Sequence, residues 1–175
     1  VGADNTSYND TIQFINIDST GDATDFGDTT GTARGYGSSF SSRTRGIFAG
    51  GQNGGNNQNV LDFVTIASTG NAKDFGDITF TGNYISAGVN SPVRGLVAGA
   101  NPGGFLNRID YVTTATLGNG ADFGDLQGDK WTKSEFTTNN GCLMIAKGTS
   151  QRLRGKKQNS TRFWVSKLCT NWIST

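Results

Sequence analysis

Short runs of alternating apolar and polar residues recur through residues 1–148, and each run is flanked by Gly, Asn, Ser or Thr. In the run Ile12–Ile17, a strand would place Ile12, Phe14 and Asn16 on one side and Ile15 and Ile17 on the other. Both sides are then largely apolar, as in a sheet packed between two neighbours. Because these residues show no helical periodicity, the pattern predicts an all-β protein.

The same unit occurs three times, at offsets of 49 and 48 residues. Its clearest mark is the string Asp-Phe-Gly-Asp, found at Asp25–Asp28, Asp74–Asp77 and Asp122–Asp125. A strand-like segment precedes each copy, at Ile12–Ile17, Leu61–Ile66 and Ile109–Thr114. Self-similarity at a fixed interval of this size indicates a repeat architecture.

A second repeated element is a Gly-bounded apolar segment. Arg45–Gly51 matches Arg94–Gly99 and weakly matches Cys142–Gly148, and an aromatic residue stands before each copy, at Tyr36, Tyr84 and Trp131. One unit therefore comprises four short strands: a, led by the aromatic residue; b, the Gly-bounded strand; c, the Ile12-type strand; and d, the Phe-Gly-Asp strand. Four antiparallel strands in about 49 residues match the size of one β-propeller blade.

The phase of the repeat sets the expected domain organisation. We expect strands c and d in residues 1–32, whole blades in 33–81 and 82–127, strands a and b in 128–148, and a C-terminal extension in 149–175. The two half-units would add up to one composite blade, for a total of three. Since a closed ring needs about four blades, the ring is incomplete in one chain. The missing blades would come from upstream residues of a longer polypeptide or from a second chain, which would give six blades in total. Alternatively, the three sheets close as a prism like that of some lectins.

The Arg-Gly-Ile-Phe-Ala-Gly-Gly element (Arg45–Gly51), with the run Ser68–Asp77, resembles the Kelch-like repeats of structural and tail-fibre proteins of marine bacteriophages, including cyanophages. The resemblance covers residues 1–127 well and 128–148 loosely, and it has no counterpart for the extension. It implies a Kelch-like β-propeller in a virion structural protein on the surface of the particle. The expected role is in a tail fibre or fibre-associated adhesin that binds host surface glycan. The alternative is a capsid or tail decoration protein anchored by its C-terminal extension.

The composition argues against several classes of function. The chain has 26 Gly, no His and a single Glu, Glu135, so it lacks the commonest general base and metal ligand. We therefore expect no enzyme activity and no cofactor. The longest apolar stretch, Cys142–Ala146, is far shorter than the roughly 20 residues of a membrane-spanning helix, so we expect no membrane insertion.

Acidic and basic residues are distributed unevenly along the chain. All 14 acidic residues lie before residue 147, whereas residues 147–175 have seven basic residues and no acidic one. Trp164, Leu168 and Trp172 follow at helical spacing, although a strand is also compatible with the composition. We expect the extension to bind other virion proteins or copies of the chain, with nucleic acid as a less favoured partner. The predicted contacts are Arg152, Arg154, Lys156, Lys157, Phe163, Trp164 and Trp172. The sequence leaves open whether Cys142 and Cys169 form a disulfide.

The repeated aspartates admit two interpretations. Oxygen-bearing side chains at spacing three (Asp22, Asp25 and Asp28, with their equivalents) are candidate Ca²⁺ ligands. The favoured interpretation is structural: the aspartates form Asx turns while the phenylalanines pack between blades. The same applies to Arg45 and Arg94, for which we expect an ion pair between blades. The predicted structural set is Asp25, Phe26, Asp28, Asp74, Phe75, Asp77, Asp122, Phe123, Asp125, Arg45 and Arg94.

Candidate ligand contacts lie in two segments rich in amides, Gly50–Asn59 and Gly99–Asn107, which we expect to form long loops between strands b and c. Amides can bind sugar hydroxyls, and aromatic rings can stack on a sugar face. The predicted glycan contacts are Asn53, Asn56, Asn57, Asn59, Asn101, Phe105 and Tyr36. A structural role, in which these residues only turn the chain, is the alternative.

Overall fold

The structure is a computed structural model that describes residues 2–3, 7–82, 84–85, 87–127, 134–137 and 143–146. This part of the chain consists of strands and connecting turns and contains no helix. The all-β prediction is confirmed. The strands are β1 (Gly2–Ala3), β2 (Tyr8–Asn9), β3 (Thr11–Phe14), β4 (Thr24–Asp28), β5 (Ser38–Ser41), β6 (Arg45–Asn53), β7 (Asn56–Thr65), β8 (Lys73–Asp77), β9 (Ala87–Asn90), β10 (Arg94–Ala100), β11 (Leu106–Thr113), β12 (Ala121–Asp125), β13 (Ser134–Thr137) and β14 (Leu143–Ala146).

Two four-stranded antiparallel sheets form the centre of the molecule. Their strand orders are β5-β6-β7-β8 and β9-β10-β11-β12, so each sheet is a simple meander of consecutive strands. The two sheets use equivalent residues in equivalent registers: Ala49 pairs with Leu61 in the first, and Ala98 pairs with Ile109 in the second. Residues 38–77 and 87–125 therefore form the same supersecondary unit twice.

Three hairpins accompany these sheets: β1-β2, β3-β4 and β13-β14. The β3-β4 pairing of Ile12 with Gly27 repeats that of Leu61 with Gly76, so β3 and β4 correspond to the last two strands of a unit. In the same way, Ser134 pairs with Ala146 as Ser38 pairs with Ala49, so β13 and β14 correspond to the first two. The β9 strand contacts β5 on one side and β13 on the other. The first strands of successive units thus lie side by side.

The expected composite blade is absent from the described part of the chain, because β3-β4 and β13-β14 belong to separate two-stranded sheets. The central units separate the two hairpins, and three units are fewer than a closed ring requires. The strand predicted for Ile12–Ile17 is also shorter than expected, since β3 ends at Phe14. Ile15 and Ile17, predicted to face a neighbouring sheet, are 59% and 90% exposed.

The apolar core lies between successive sheets. Its largest cluster joins side chains from both four-stranded sheets: Phe40, Ile47, Ala49, Leu61, Phe63, Phe75, Ile78, Phe80, Ile85, Val97, Ala100 and Val112. A smaller cluster joins the β3-β4 hairpin to the first sheet through Ile12, Val64 and Ala72. Each sheet alone would leave one apolar face in water, so stacking of neighbours supplies the burial that stabilises the fold.

Backbone hydrogen bonds also join successive units. The N–H groups of Gly70 and Ala72 donate to the carbonyls of Phe26 and Asp28, both at 2.7 Å. One unit further on, Gly118 donates to Phe75 at 2.9 Å and Gly120 donates to Asp77 at 2.7 Å. The outer edge of strand d in one unit is therefore covered by the segment that leads into strand d of the next. This protects an edge that would otherwise be free to pair with other chains.

Buried polar groups connect the same junctions. Asp62 is fully buried, accepts a hydrogen bond from the Thr30 hydroxyl and forms an ion pair with the buried Arg34. Asp110, its equivalent in the next unit, is also fully buried and accepts from the Thr79 hydroxyl at 2.8 Å. A buried carboxylate is tolerated only when it has such partners. At each junction, these contacts therefore favour one specific position of a unit relative to the next.

Candidate functional site

Three tyrosines from consecutive units form a continuous aromatic row. The ring of Tyr8 meets that of Tyr36 edge to face, with centroids 6.2 Å apart, and Tyr36 lies 4.6 Å from Tyr84 with the ring planes tilted by 36°. Tyr36, at the centre, is 46% exposed. We call Tyr8, Tyr36 and Tyr84 the tyrosine row. It combines accessible ring surface with hydroxyl groups, a pairing that suits an amphipathic ligand.

The backbone at the row has an unusual conformation. Tyr36 and Tyr84 have φ values of 62° and 50°, and they are the described non-glycine residues with positive φ. The left-handed region costs an L-residue with a bulky side chain on the order of 1–2 kcal/mol. Such conformations persist where the surroundings hold them, and they are concentrated at functional sites. Here Gly35 exchanges two backbone hydrogen bonds with Gln52, at 3.0 and 2.8 Å, and the Tyr36 carbonyl accepts from Ile85 N–H at 3.2 Å.

Amide side chains adjoin the row at the end of β6. The Tyr8 hydroxyl lies 3.3 Å from Oε1 of Gln52 and donates to it, and the Asn53 side-chain amide donates to the carbonyl of Ala33. Asn57 pairs with Gln52 across the hairpin, and its side-chain oxygen is buried with no partner among the described residues. Gln52 was not among the residues predicted from the sequence. Its contact with the row depends on the pairing of Gly35 with Gln52, which is a long-range contact.

The predicted long loop at Gly50–Asn59 is wrong. β6 and β7 continue through this segment as paired strands, with Gln52 opposite Asn57 and Asn53 opposite Asn56. Only Gly54 and Gly55 form the turn, and both have positive φ (53° and 90°), the pattern of a two-residue type I′ hairpin. Asn53, Asn56, Asn57 and Asn59 therefore lie on a paired β-hairpin rather than in a loop.

The second connection is a short loop. It joins Ala100 of β10 to Leu106 of β11, and Oδ1 of Asn101 accepts a hydrogen bond from Gly103 N–H at 3.2 Å. Phe105 is 48% exposed at its end. Asn101 occupies the position in its unit that Gln52 occupies in the preceding one, since both follow a β-bulge at an equivalent Gly. The structure thus places Tyr36, Asn53, Asn57 and Asn101 at one end of the sheets.

A cleft of about 130 Å³ adjoins Tyr36. Its walls combine two aromatic residues, several small residues and one buried guanidinium, and the lining residues are Arg34, Tyr36, Gly37, Ser38, Ser39, Phe48, Ala49 and Gly50. Arg34 also donates from Nε to the Gly50 carbonyl at 2.9 Å. Its charge is already used in the ion pair with Asp62. The cleft is therefore a polar recess beside the row rather than a site with a free charge.

The aspartates of the repeated motif form the turns expected from the structural interpretation. Oδ1 of Asp25, Asp74 and Asp122 accepts from the N–H of the Gly two residues later, at 3.2, 3.1 and 2.9 Å. These are Asx turns. Among the residues that the structure describes, no group of three or more His, Cys, Asp or Glu side chains is arranged to hold a metal ion.

The repeated arginines contact aromatic rings. The guanidinium carbons of Arg45 and Arg94 lie 4.8 Å from the ring centroids of Phe63 and Tyr111, respectively. Arg45 also donates to the carbonyl of Thr114 in the next unit at 2.9 Å. We expected an ion pair with a carboxylate of the repeated motif, and the structure instead shows a cation–π contact with a carbonyl as acceptor. The one ion pair among the described residues joins Arg34 and Asp62, a pair that was not predicted from the sequence.

The predicted contacts of the extension (Arg152, Arg154, Lys156, Lys157, Phe163, Trp164 and Trp172) lie outside the described residues, as do Trp131, Cys142 and Cys169. In the described part of the chain, no helix is long and apolar enough to cross a membrane.

In comparisons with known proteins, no protein-family model matches the chain, and no curated protein matches it significantly.

Proposed function

We propose that this chain is a segment of a Kelch-like β-propeller that serves as a host-adhesion component of a phage tail fibre and binds surface glycan at the tyrosine row. The observation that carries the proposal is the contact of Tyr8, Tyr36 and Tyr84 in one row beside Gln52. The virion context rests on the resemblance of Arg45–Gly51 and Ser68–Asp77 to phage Kelch-like repeats.

The chemistry of the row fits a carbohydrate. A pyranose ring presents C–H groups on its faces and hydroxyls around its edge, so it matches an aromatic surface bordered by amides. Tyr36 supplies the most accessible ring, and Gln52 and Asn101 place amides at equivalent points of adjacent units. A row that crosses three units suits several successive sugars of a polysaccharide. Repeated copies in a particle would multiply weak individual contacts.

The arrangement of the sheets supports the propeller part of the proposal. Two four-stranded meanders of the same register pack face to face, and β5, β9 and β13, the first strands of three units, lie side by side. In a propeller, the first strands of successive blades line the central axis in this way. The binding surface would then be displayed by a rigid body with little ordering cost.

The test is binding of host-derived polysaccharide, measured on a glycan array and by calorimetry. Tyr36→Gly removes the central ring and tolerates the positive φ, and we expect it to weaken binding about two- to tenfold, the equivalent of one stacking contact. Phe14→Ala is the matched control, because Phe14 is 43% exposed and lies outside the row. Wild-type affinity in Tyr36→Gly, or an equal loss of affinity in Phe14→Ala, would contradict the assignment of the row. No glycan binding, together with incorporation into particles that depends on the extension, would favour the decoration role.

A further inference from the structure

The two ends of the stack of units are complementary to each other, and we propose that the β12 edge binds Gly21–Ala23 of a second copy of this chain. The contact joins unlike surfaces, one from each end, so two copies can satisfy each other. It is independent of the ligand of the tyrosine row.

The first argument is that the chain already makes this contact twice. Gly70–Ala72 lies on Phe26–Asp28, and Gly118–Gly120 lies on Phe75–Asp77, each through two backbone hydrogen bonds. A side-chain bond repeats as well: Oδ1 of Asn71 accepts from Asp28 N–H at 3.1 Å, and Oδ1 of Asn119 accepts from Asp77 N–H at 3.0 Å. We call Phe26–Asp28 and Phe75–Asp77, whose carbonyls accept these bonds, the receiving strands. We call Gly70–Ala72 and Gly118–Gly120, which donate them, the incoming segments.

The last receiving strand, Phe123–Asp125 of β12, is open. Phe75 is 3% exposed, whereas its equivalent Phe123 is 52% exposed. A Cβ on Gly76 would lie 2.6 Å from the Gly118 backbone, but a Cβ on Gly124 would meet nothing within 4 Å. Within the described part of the chain, the β12 edge therefore lacks the segment that covers its two counterparts.

The first incoming segment, Gly21–Ala23, is open in the same way. All three residues are exposed, while Ala72, equivalent to Ala23, is 8% exposed. Ile15 at this end is 59% exposed, although its equivalents Val64 and Val112 are buried against the preceding unit at 7% and 3%. Asp22 stands where Asn71 and Asn119 supply an acceptor, and its carboxylate can accept the same N–H donor.

Two coordinated sequence differences fit the proposed junction. Inside the chain, Thr30 donates to Asp62 and Thr79 donates to Asp110. At the open ends, the equivalent positions are Gln127 and Gln13. Two glutamine amides can each donate to and accept from the other, so the pair can satisfy itself without a buried charge. Both members of the internal pair are thus replaced, one at each open end, where the contact would be intermolecular.

The free strand edges point to the same partner. β14 pairs only with β13, and β3 pairs only with β4, so each has one open edge among the described strands. In both complete units, the strand equivalent to β14 pairs with the strand equivalent to β3. With Gly21–Ala23 of a second copy on β12, its β3-β4 hairpin can extend the β13-β14 hairpin into a four-stranded sheet. Two reciprocal junctions would close a ring of six units, a size within the range of propellers.

The test is the mass of the full chain in solution, by sedimentation and light scattering. We expect the wild type to form a species of twice the 18.5 kDa chain mass. Ala23→Arg places a charge in a buried contact but in water on a single chain, and Phe123→Asp does the same at the other end. In each variant alone, we expect the dissociation constant of the dimer to rise at least tenfold while the circular dichroism spectrum stays unchanged.

An equimolar mixture of the two variants should restore a dimer, since it pairs one intact β12 edge with one intact Gly21–Ala23 segment. Val93→Lys is the control: Val93 is 62% exposed in a turn away from both ends, and this variant should dimerise as the wild type does. A monomeric wild type, an assembly that Ala23→Arg leaves intact, or a mixture that stays monomeric would each overturn the proposal.

Discussion

The strands β8 and β12 contain the same four residues, Asp-Phe-Gly-Asp, in two different environments. In β8 the next unit covers the strand, Phe75 is buried, and the Phe75 and Asp77 carbonyls accept hydrogen bonds from Gly118 and Gly120. In β12 no described residue covers the strand and Phe123 is half exposed. The local conformation is nevertheless the same, because Gly76 and Gly124 have φ values of 142° and 138°.

This comparison separates two roles of the repeated motif. The Asx turn, the Gly conformation and the β-bulge form in both strands, so they depend on local sequence. The Phe side chain is buried, and the strand carbonyls accept hydrogen bonds, only when another unit covers the strand. The motif therefore prepares an edge that receives a neighbour, and the neighbour supplies the stabilisation.

The largest expected difference is between Phe75→Ala and Phe123→Ala. Phe75 is 3% exposed within the main core, so its loss should lower the free energy of unfolding by about 3–5 kcal/mol. Phe123 keeps an edge-to-face contact with Tyr111 but is half exposed, and its loss should cost under about 1 kcal/mol. Urea denaturation measures both. Using the Ala23→Arg background keeps the β12 edge free of a second copy, and equal losses would contradict the difference in packing.

A smaller difference is expected between Gly76→Ala and Gly124→Ala. Their φ values are nearly equal, so backbone strain of about 1–3 kcal/mol is common to both variants. Only at Gly76 would the new Cβ lie 2.6 Å from the carbonyl carbon and oxygen of Gly118. Overpacking of this kind adds about 1–3 kcal/mol. In the same urea experiment, Gly76→Ala should be the less stable variant by that amount, and the reverse order would refute the close approach of the two backbones.

The sequence predicted the features that repeat at a fixed interval and depend on neighbouring residues. Strands a to d and the Asx turns at Asp25, Asp74 and Asp122 belong to this class. The composition of Gly50–Asn59 was misleading, because the β ladder is held by backbone hydrogen bonds, which form in this segment although Asn has a low β propensity. Only the consecutive glycines Gly54 and Gly55 carried a signal for the short hairpin.

Most of the candidate site depended on contacts between units, which leave no periodic signal. The aromatic residues Tyr36 and Tyr84 were recognised as markers of strand a, but their stacking and positive φ follow from the way adjacent units meet. The ion pair of Arg34 with Asp62 spans 28 residues and occurs at one junction, so self-comparison could not reveal it. Pairing of an isolated Arg with one of many Asp residues requires the fold.

The smallest expected effects come from the three equivalent positions Asn71, Asn119 and Asp22, and they test whether the junctions are equivalent. Asn71→Ala and Asn119→Ala each remove one acceptor of a backbone N–H at a partly exposed junction, so each should cost about 0.5–1.5 kcal/mol. Asp22→Ala should leave the free energy of unfolding of the single chain unchanged, because no hydrogen bond joins Asp22 to another described unit. If the junctions act alike, the first two losses agree with each other and add in the double variant, since the two sites share no partner. A loss at only one of them would show that one junction is held mainly by its other contacts, and a loss at Asp22 would place that residue in a junction within the chain.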